Sequence, residues 1–235
     1  MGTSTAETLE LLARGEITVR GRMPRSSNAT YLVEVTAGGT ALLAVYKPGR
    51  GERPLWDFPP SLFRREVAAW ELSQALGWAV VPPTVLREGP FGEGSLQEFV
   101  QADFAEHYFT LREAESHQDR LQRICVFDLL ANNADRKSGH CLLGEDGTIY
   151  AIDNGLCFHV EPKLRTVIWE FAGEPLPPAI VGDLQRLAAG RLPPAVRELI
   201  APEECAVLLK RTRALVKAGR FPAETIGDGY PWPLV

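Results

Sequence analysis

Residues 119–155 constrain this chain more than any other stretch. A helical pattern from Asp119 to Ala131, with Leu121, Ile124 and Phe127 at helical spacing, runs straight into Asn132-Asn133-Ala134-Asp135-Arg136-Lys137-Ser138-Gly139-His140. An apolar hairpin leaves that loop, His140 to Leu143 and Thr148 to Ile152 around Asp146-Gly147, and ends in Asp153-Asn154-Gly155. Polar groups delivered so close to a core must be satisfied by protein partners, a metal or a ligand. The loop is therefore the first place to look for chemistry.

The hairpin predicts a register. With Asp146-Gly147 as a two-residue turn, Glu145 pairs with Thr148 and His140 faces Asp153. Directly opposed residues stand roughly 4.5–5.5 Å apart at Cβ. An imidazole and a carboxylate would then share a site beside Asp135, as a loop base and a metal-binding acid converge in phosphoryl transfer.

The earlier part of the chain supplies a complement. Residues 6–14 read as a short helix with Leu9, Leu12 and Ala13 on one face. Thr30 to Thr36 and Thr40 to Lys47 read as strands around Gly38-Gly39, which sets Thr30 opposite Lys47. Just beyond lies Arg25-Ser26-Ser27-Asn28, small polar residues that can turn backbone N–H groups towards phosphate oxygens. Lys47 follows Leu43 and Val45 at period two and so shares their face. After a Gly- and Pro-rich loop over 48–61, Leu62 to Leu76 reads as a helix stopped by Gly77. It carries Glu66, placed to fix the lysine by an ion pair. Thr84 to Arg87 and Ser95 to Val100 complete a small antiparallel sheet with one helix. The last third is helical, notably Glu203 to Ala218 before Gly219. The tail Gly229-Tyr230-Pro231-Trp232-Pro233-Leu234-Val235 is expected to dock on the body through its aromatics.

Composition narrows the partners. The chain has 235 residues, 45% hydrophobic and 23% charged, which suits one domain or two small lobes. A net charge of -5 argues against nucleic-acid binding and against bulk attraction to anionic lipid. Cys125, Cys141, Cys157 and Cys205 form no C-x-x-C pair and read as free thiols in a reducing compartment. No signal-peptide pattern is present, and no apolar run approaches the ~20 residues of a membrane span. The cytoplasm is the expected location.

Taken together, these residues resemble the type II phosphatidylinositol 4-kinases. The motifs are Ser26-Ser27-Asn28-Ala29-Thr30, Tyr46-Lys47-Pro48, Val81-Pro82-Pro83-Thr84 and Gly94-Ser95-Leu96-Gln97-Glu98-Phe99-Val100. Asp128 with Asn133-Ala134-Asp135-Arg136 is similar to that family's catalytic loop, and Ala151-Ile152-Asp153-Asn154-Gly155-Leu156-Cys157-Phe158 to its metal-binding segment. The likeness covers roughly residues 25 to 170. It implies an α+β, bilobal kinase-like fold of the protein-kinase and phosphoinositide-kinase type. The N-lobe would span 15–100, the C-lobe 101–220 and a tail 221–235. ATP and Mg²⁺ or Mn²⁺ would sit between the lobes.

The resemblance implies catalytic roles for Asp135 and Arg136 and an ATP site of Lys47, Glu66, Ser26, Ser27, Asn28, Gln97 and Phe99. Asp153 and His140 would bind metal, and Lys163 and Arg165 the substrate. His140 stands where the family has Asn, which points to an altered metal site or to Mn²⁺. The implied reaction moves the ATP γ-phosphate to a hydroxyl on a lipid head group or a protein. A protein Ser/Thr kinase of related fold and a nucleotide-binding pseudokinase are the alternatives. A metallo-phosphoesterase built on Asp135, His140, Asp153 and His159 is a third, and leaves Lys47 and Glu66 without a role. Each residue also has a plain structural reading. Asp135 could cap a turn, Asp153 could belong to an Asp-Asn-Gly turn and Lys47 could guard a sheet edge. Arg136 could brace the loop, and Lys163 and Arg165 could form surface ion pairs.

Overall fold

The structure is a computed structural model that describes residues 4–24, 26, 28–223 and 229–234. The chain begins with α1 (Thr5–Arg14), whose N-terminus is closed by a reciprocal Ser4–Glu7 capping box. Five strands follow: β1 (Glu16–Arg22), β2 (Tyr31–Ala37), β3 (Thr40–Pro48), β4 (Thr84–Gly89) and β5 (Gly92–Glu98). They form one antiparallel sheet in the order β1-β2-β3-β5-β4. Between β3 and β4 lies α2 (Leu62–Ala75), stopped by Gly77 at φ +71 and resting against β4 and β5.

The strands alternate because the sheet has two different faces. Val33, Val35, Ala44, Tyr46 and Leu96 pack with Leu11 and Leu12 of α1. Burying such an aliphatic side chain is worth about 1.5–3 kcal/mol. The opposite face carries Leu32, Leu43, Val45 and Lys47, and the three apolar residues there are half-buried. None of them belongs to a hydrophobic cluster of the described residues. The expected α1 stripe differs in one position: Leu11 points inward, whereas Ala13 is exposed.

The second half is helical around one large core. It holds α3 (Tyr108–Leu111), α4 (Gln118–Ala131), α5 (Pro178–Ala189), α6 (Pro194–Leu199) and α7 (Pro202–Ala218). The short hairpin of β6 (Cys141–Leu143) and β7 (Ile149–Ala151) closes it. Two features anchor the halves to one another. Arg65 of α2 pairs with Glu204 of α7 and donates to the Cys157 carbonyl, and both charged side chains are buried. Lys163 reaches Asp57 at 3.0 Å. No helix among the described residues is long and apolar enough to cross a membrane.

Two sequence expectations are corrected. β1 was not expected as a strand; it is an edge strand with only Ile17 half-buried, so it shows no apolar alternation. The β6–β7 loop is longer than a two-residue turn. Leu143 pairs with Ile149, and the Gly144 amide donates to the Thr148 carbonyl at 2.9 Å. Asp146 selects this geometry by accepting the Thr148 amide at 2.9 Å, with Gly147 at φ +77. His140 therefore stands opposite Ile152, whose amide bonds the His140 carbonyl at 2.9 Å, and not opposite Asp153.

Candidate active site

A cavity of about 470 Å³ opens between the sheet and the helical half. Lys47, Glu66, Asp135, His140 and Asp153 line it, together with Ser26, Asn28 and Lys137. β3 presents Lys47 on the face that α1 does not cover. Its ammonium pairs with Glu66 of α2 and lies 2.8 Å from Asp153 Oδ1. Glu66 uses its other oxygen to accept the Asn154 amide at 2.8 Å. Glu52 fixes the start of α2 by accepting the Ser61 and Phe63 amides at 3.0 and 2.7 Å. Strand lysine, helix glutamate and the Asp153 segment are thus one connected unit.

Asp153 has φ +59, a left-handed conformation uncommon outside glycine. That twist, made just after β7 ends, compensates for the shifted register. It brings Asp153 Oδ2 to 3.5 Å from His140 Nε2. His140 Nδ1 lies 2.9 Å from the Asp135 carbonyl oxygen, which can only accept, so Nδ1 carries the proton. The Lys137 amide, at 3.4 Å from the same nitrogen, is too distant to decide otherwise. His140 Nε2 is left with a free lone pair aimed at the carboxylate.

Electrostatics separate the two acids. Lys47 holds Asp153 well below the usual carboxylate range against the opposing effect of burial. Asp153 is 53% exposed to the cleft, so water screens part of that effect. Burial pushes Asp135 upward, and Lys137, at 3.2 Å, opposes it. Burial would lower Lys47, but Asp153 and Glu66 outweigh it and hold the ammonium above its ordinary value. Burial pulls the His140 imidazole down to about 4, opposed by Asp153 and reinforced by Arg136, Lys137 and Lys47.

The loop rests on a buried polar base. Arg136 has no exposed surface and donates to both oxygens of Asp128, to the Ile152 carbonyl at 2.6 Å and to Asn154 Oδ1 at 2.7 Å. Asn133 donates to Asp128 at 3.0 Å and accepts the Asp135 amide at 2.9 Å. α4 can deliver this base because it ends at Asn132, φ +54, where Asn tolerates the left-handed turn.

Of the other expected site residues, Ser26 and Asn28 line the cavity and the rest of the described ones lie outside its lining. Arg136 cannot reach a substrate; the structure puts it beneath the loop as a brace. The Gln97 amide donates to Thr84 at 2.9 Å, and the Phe99 ring lies 6.4 Å from that of Phe104. Neither residue lines the Lys47 cavity. Ser26 shares a hydrogen bond of 2.8 Å with Thr30, and Asn28 accepts the Arg53 amide at 2.9 Å. Ser27 lies outside the described residues. Lys163 is held by Asp57 and by the rings of Trp56 and Phe58, about 5.8 and 5.7 Å away. Arg165 is exposed, with its backbone tied to Asn133 and Arg136. His159 packs on Phe58 and accepts the Glu161 amide, so it does not join His140 and Asp153. Sequence reasoning missed Lys137, Glu52 and Asn154. Lys137 was open to view as the cation two residues after Asp135; the other two act through contacts that no local spacing displays.

Comparison with known proteins bears on this geometry. No family model matches the chain. Phosphatidylinositol 4-kinase gamma 4 of Oryza sativa subsp. japonica is 29% identical over 185 residues, 66% of this chain but only 31% of that protein. Among solved structures, the Golgi casein kinase with Mn/ADP bound superposes with a TM-score of 0.59 at 15% identity, covering 98% of this chain and 80% of that one. At such low identity this shows the fold: α+β, bilobal and kinase-like. Protein Rv2133c of Mycobacterium tuberculosis (strain ATCC 25618 / H37Rv) is 40% identical over 262 residues, covering 95% of this chain and 94% of its own length. The chain belongs to the same protein family as Rv2133c.

Proposed function

We propose that this protein is an ATP-dependent phosphotransferase that moves the γ-phosphate to a hydroxyl acceptor. One observation carries the reading: the Lys47–Glu66 ion pair meets Asp153 at 2.8 Å on a cavity that Asp135 also lines. Leu32, Leu43 and Val45, half-buried on the Lys47 face of the sheet and outside the cavity lining, would offer a nucleobase an apolar surface. Lys47 places a fixed positive charge on the phosphate oxygens, and Glu66 fixes its direction.

A divalent cation would find two protein donors here, since no group of three or more His, Cys, Asp or Glu among the described residues is placed to hold one. Asp153 Oδ2 and His140 Nε2 both offer lone pairs, and the Asp135 carbonyl orients the imidazole from behind. Mg²⁺ or Mn²⁺ held by these two residues would neutralise charge on the phosphates, and the imidazole nitrogen favours Mn²⁺. Asp135 takes the acceptor's hydroxyl proton, and its raised basicity suits that task. Lys137 keeps the carboxylate oriented. Arg136 and Asn133 hold the loop without touching the reacting atoms.

The acceptor follows from two likenesses. The sequence match to a plant phosphatidylinositol 4-kinase makes a phosphoinositide head group the first to test. The fold match to a casein kinase makes a protein hydroxyl the second. Thermal unfolding with ATP, ADP or neither, each with Mg²⁺, Mn²⁺ or EDTA, tests the core of the reading. A ligand at about 100 times its Kd stabilises by about 2.7 kcal/mol, so a metal-dependent rise with ATP is expected. No rise under any condition would refute the nucleotide site.

A further inference from the structure

The tail Gly229–Leu234 lies against the loop that carries Asp135, and the chemistry above makes no use of it. The Gly229 carbonyl accepts the Thr166 amide at 2.9 Å and the Trp169 indole N–H at 3.3 Å. The Tyr230 ring lies 6.4 Å from that of Trp169, and Pro231 is buried. At the far end, the Leu234 carbonyl accepts the Ser138 amide at 2.8 Å.

Ser138 is a consequential place to be held. It is fully buried and sits between Lys137 and His140. Lys137 reaches the Asp135 carboxylate at 3.2 Å, and His140 the Asp135 carbonyl at 2.9 Å. Behind the loop, Arg136 pairs with Thr166 in a parallel bridge, its amide on the Arg165 carbonyl at 3.0 Å. The backbone of the loop, of residues 165–169 and of the tail is therefore joined in series. A buried N–H without an acceptor is costly, so the Ser138 turn is best held with the tail in place. The tail lines no part of the Lys47 cavity, so it does not obstruct a nucleotide there.

We propose that residues 229–234 are a positioning element for phosphoryl transfer. They hold the Ser138 turn, and through it Lys137 and His140, in the geometry that faces Asp135 and Asp153. This rests on the phosphotransferase reading.

The test compares the full chain with a chain ending at residue 223, alone and supplied with a synthetic peptide of residues 226–235. Three quantities are read: the ATP-dependent thermal shift, γ-phosphate release, and hydrogen exchange at the Ser138 amide. The shortened chain is expected to keep most of the thermal shift, because Lys47, Glu66 and Asp153 lie off the Ser138 turn, to lose γ-phosphate release at least tenfold and to exchange Ser138 at least tenfold faster. The peptide should reverse both losses. Should the shortened chain fail to fold, the variant Tyr230→Ala/Pro231→Gly loosens the tail alone and should give the same changes in smaller measure. Unchanged or increased phosphate release would overturn the proposal, as would unchanged Ser138 exchange. If the full chain neither binds nor hydrolyses ATP, the phosphotransferase reading fails, and the catalytic purpose of the tail with it. Ser138 exchange would still decide whether the tail holds the loop.

Discussion

Replacing Arg136 by Met removes a guanidinium with no exposed surface while keeping an unbranched chain about as long as the arginine stem. Asp128, equally buried, would keep only Asn133 at 3.0 Å and the more distant Thr166 hydroxyl at 3.4 Å. The Ile152 carbonyl and Asn154 Oδ1 would each lose a donor. Stranding one charge of a buried pair costs about 3–5 kcal/mol. For a chain of this size each kcal/mol lowers the midpoint by about 2–4 °C, so a fall of roughly 6–20 °C is expected. Asp128→Leu should cost a similar amount for the mirrored reason. The double variant should cost clearly less than the two singles together, because it leaves no unpaired charge. Urea unfolding followed by circular dichroism, with unchanged m-values, measures all three. If Arg136→Met costs under about 1 kcal/mol, or if the singles simply add, the loop does not rest on this pair.

Three further outcomes follow from the site. Asp153→Asn should abolish the metal-dependent thermal shift with ATP, whereas Asp135→Asn should keep it and lose turnover by about 10²–10⁴-fold; equal loss of binding in both would contradict the separate roles. His140 titrates at about 4 against 6.5 in the unfolded chain, so the unfolded state takes up the extra proton first as pH falls. Its contribution is intact above pH 6.5 and falls away towards pH 4, by about 3 kcal/mol at 1.36 kcal/mol per pH unit. In EDTA, His140→Asn should flatten that part of the stability–pH profile, and an unaltered slope would count against a buried neutral imidazole. A Cβ at Gly94 would sit 2.5 Å from the Lys47 carbonyl and 2.8 Å from Pro48 Cα, both backbone atoms. Gly94→Ala should therefore part β3 from β5, cost about 1–3 kcal/mol and weaken ATP binding, as midpoints with and without ATP would report.

Local pattern made much of this fold legible. Gly38-Gly39 places Ala37 opposite Thr40, which puts Lys47 on the face of Leu43 and Val45. Gly77 ends α2 where φ must be positive. The Asp146-Gly147 hairpin shows where such reasoning stops. The dipeptide marks a turn, but the Asp146 side chain adds hydrogen bonds to Thr148 and Tyr150 that favour a loop one residue longer. The resulting slip should have parted His140 from Asp153, and the positive φ of Asp153 restores their approach. No spacing rule announces that compensation. Nor does one announce Arg65–Glu204, whose partners are 139 residues apart in sequence, or the Asp128–Arg136 base, whose burial depends on how α4 packs.

The Lys47–Asp153 contact also predicts how ligands enter. One carboxylate cannot serve an ammonium at 2.8 Å and a divalent cation at full strength together. A cation alone would have to compete with Lys47 for Asp153, and the displaced ammonium would keep only Glu66. A nucleotide alone would bring its phosphates up to an ionised Asp153, like charge against like. Bound together, they exchange partners without leaving any charge unpaired: Lys47 turns to phosphate, Asp153 and His140 to the cation. Metal and ATP should therefore bind with positive coupling, each raising the affinity of the other by the same factor. Calorimetric titration of Mn²⁺ with and without ATP, and of ATP with and without Mn²⁺, measures that factor from both directions after correction for Mn²⁺–ATP association in solution. A metallo-phosphoesterase would instead take Mn²⁺ tightly with no nucleotide present. Tight binding of the bare cation would mean that Lys47 does not guard Asp153, and would rule out the exchange of partners between Lys47, phosphate and cation.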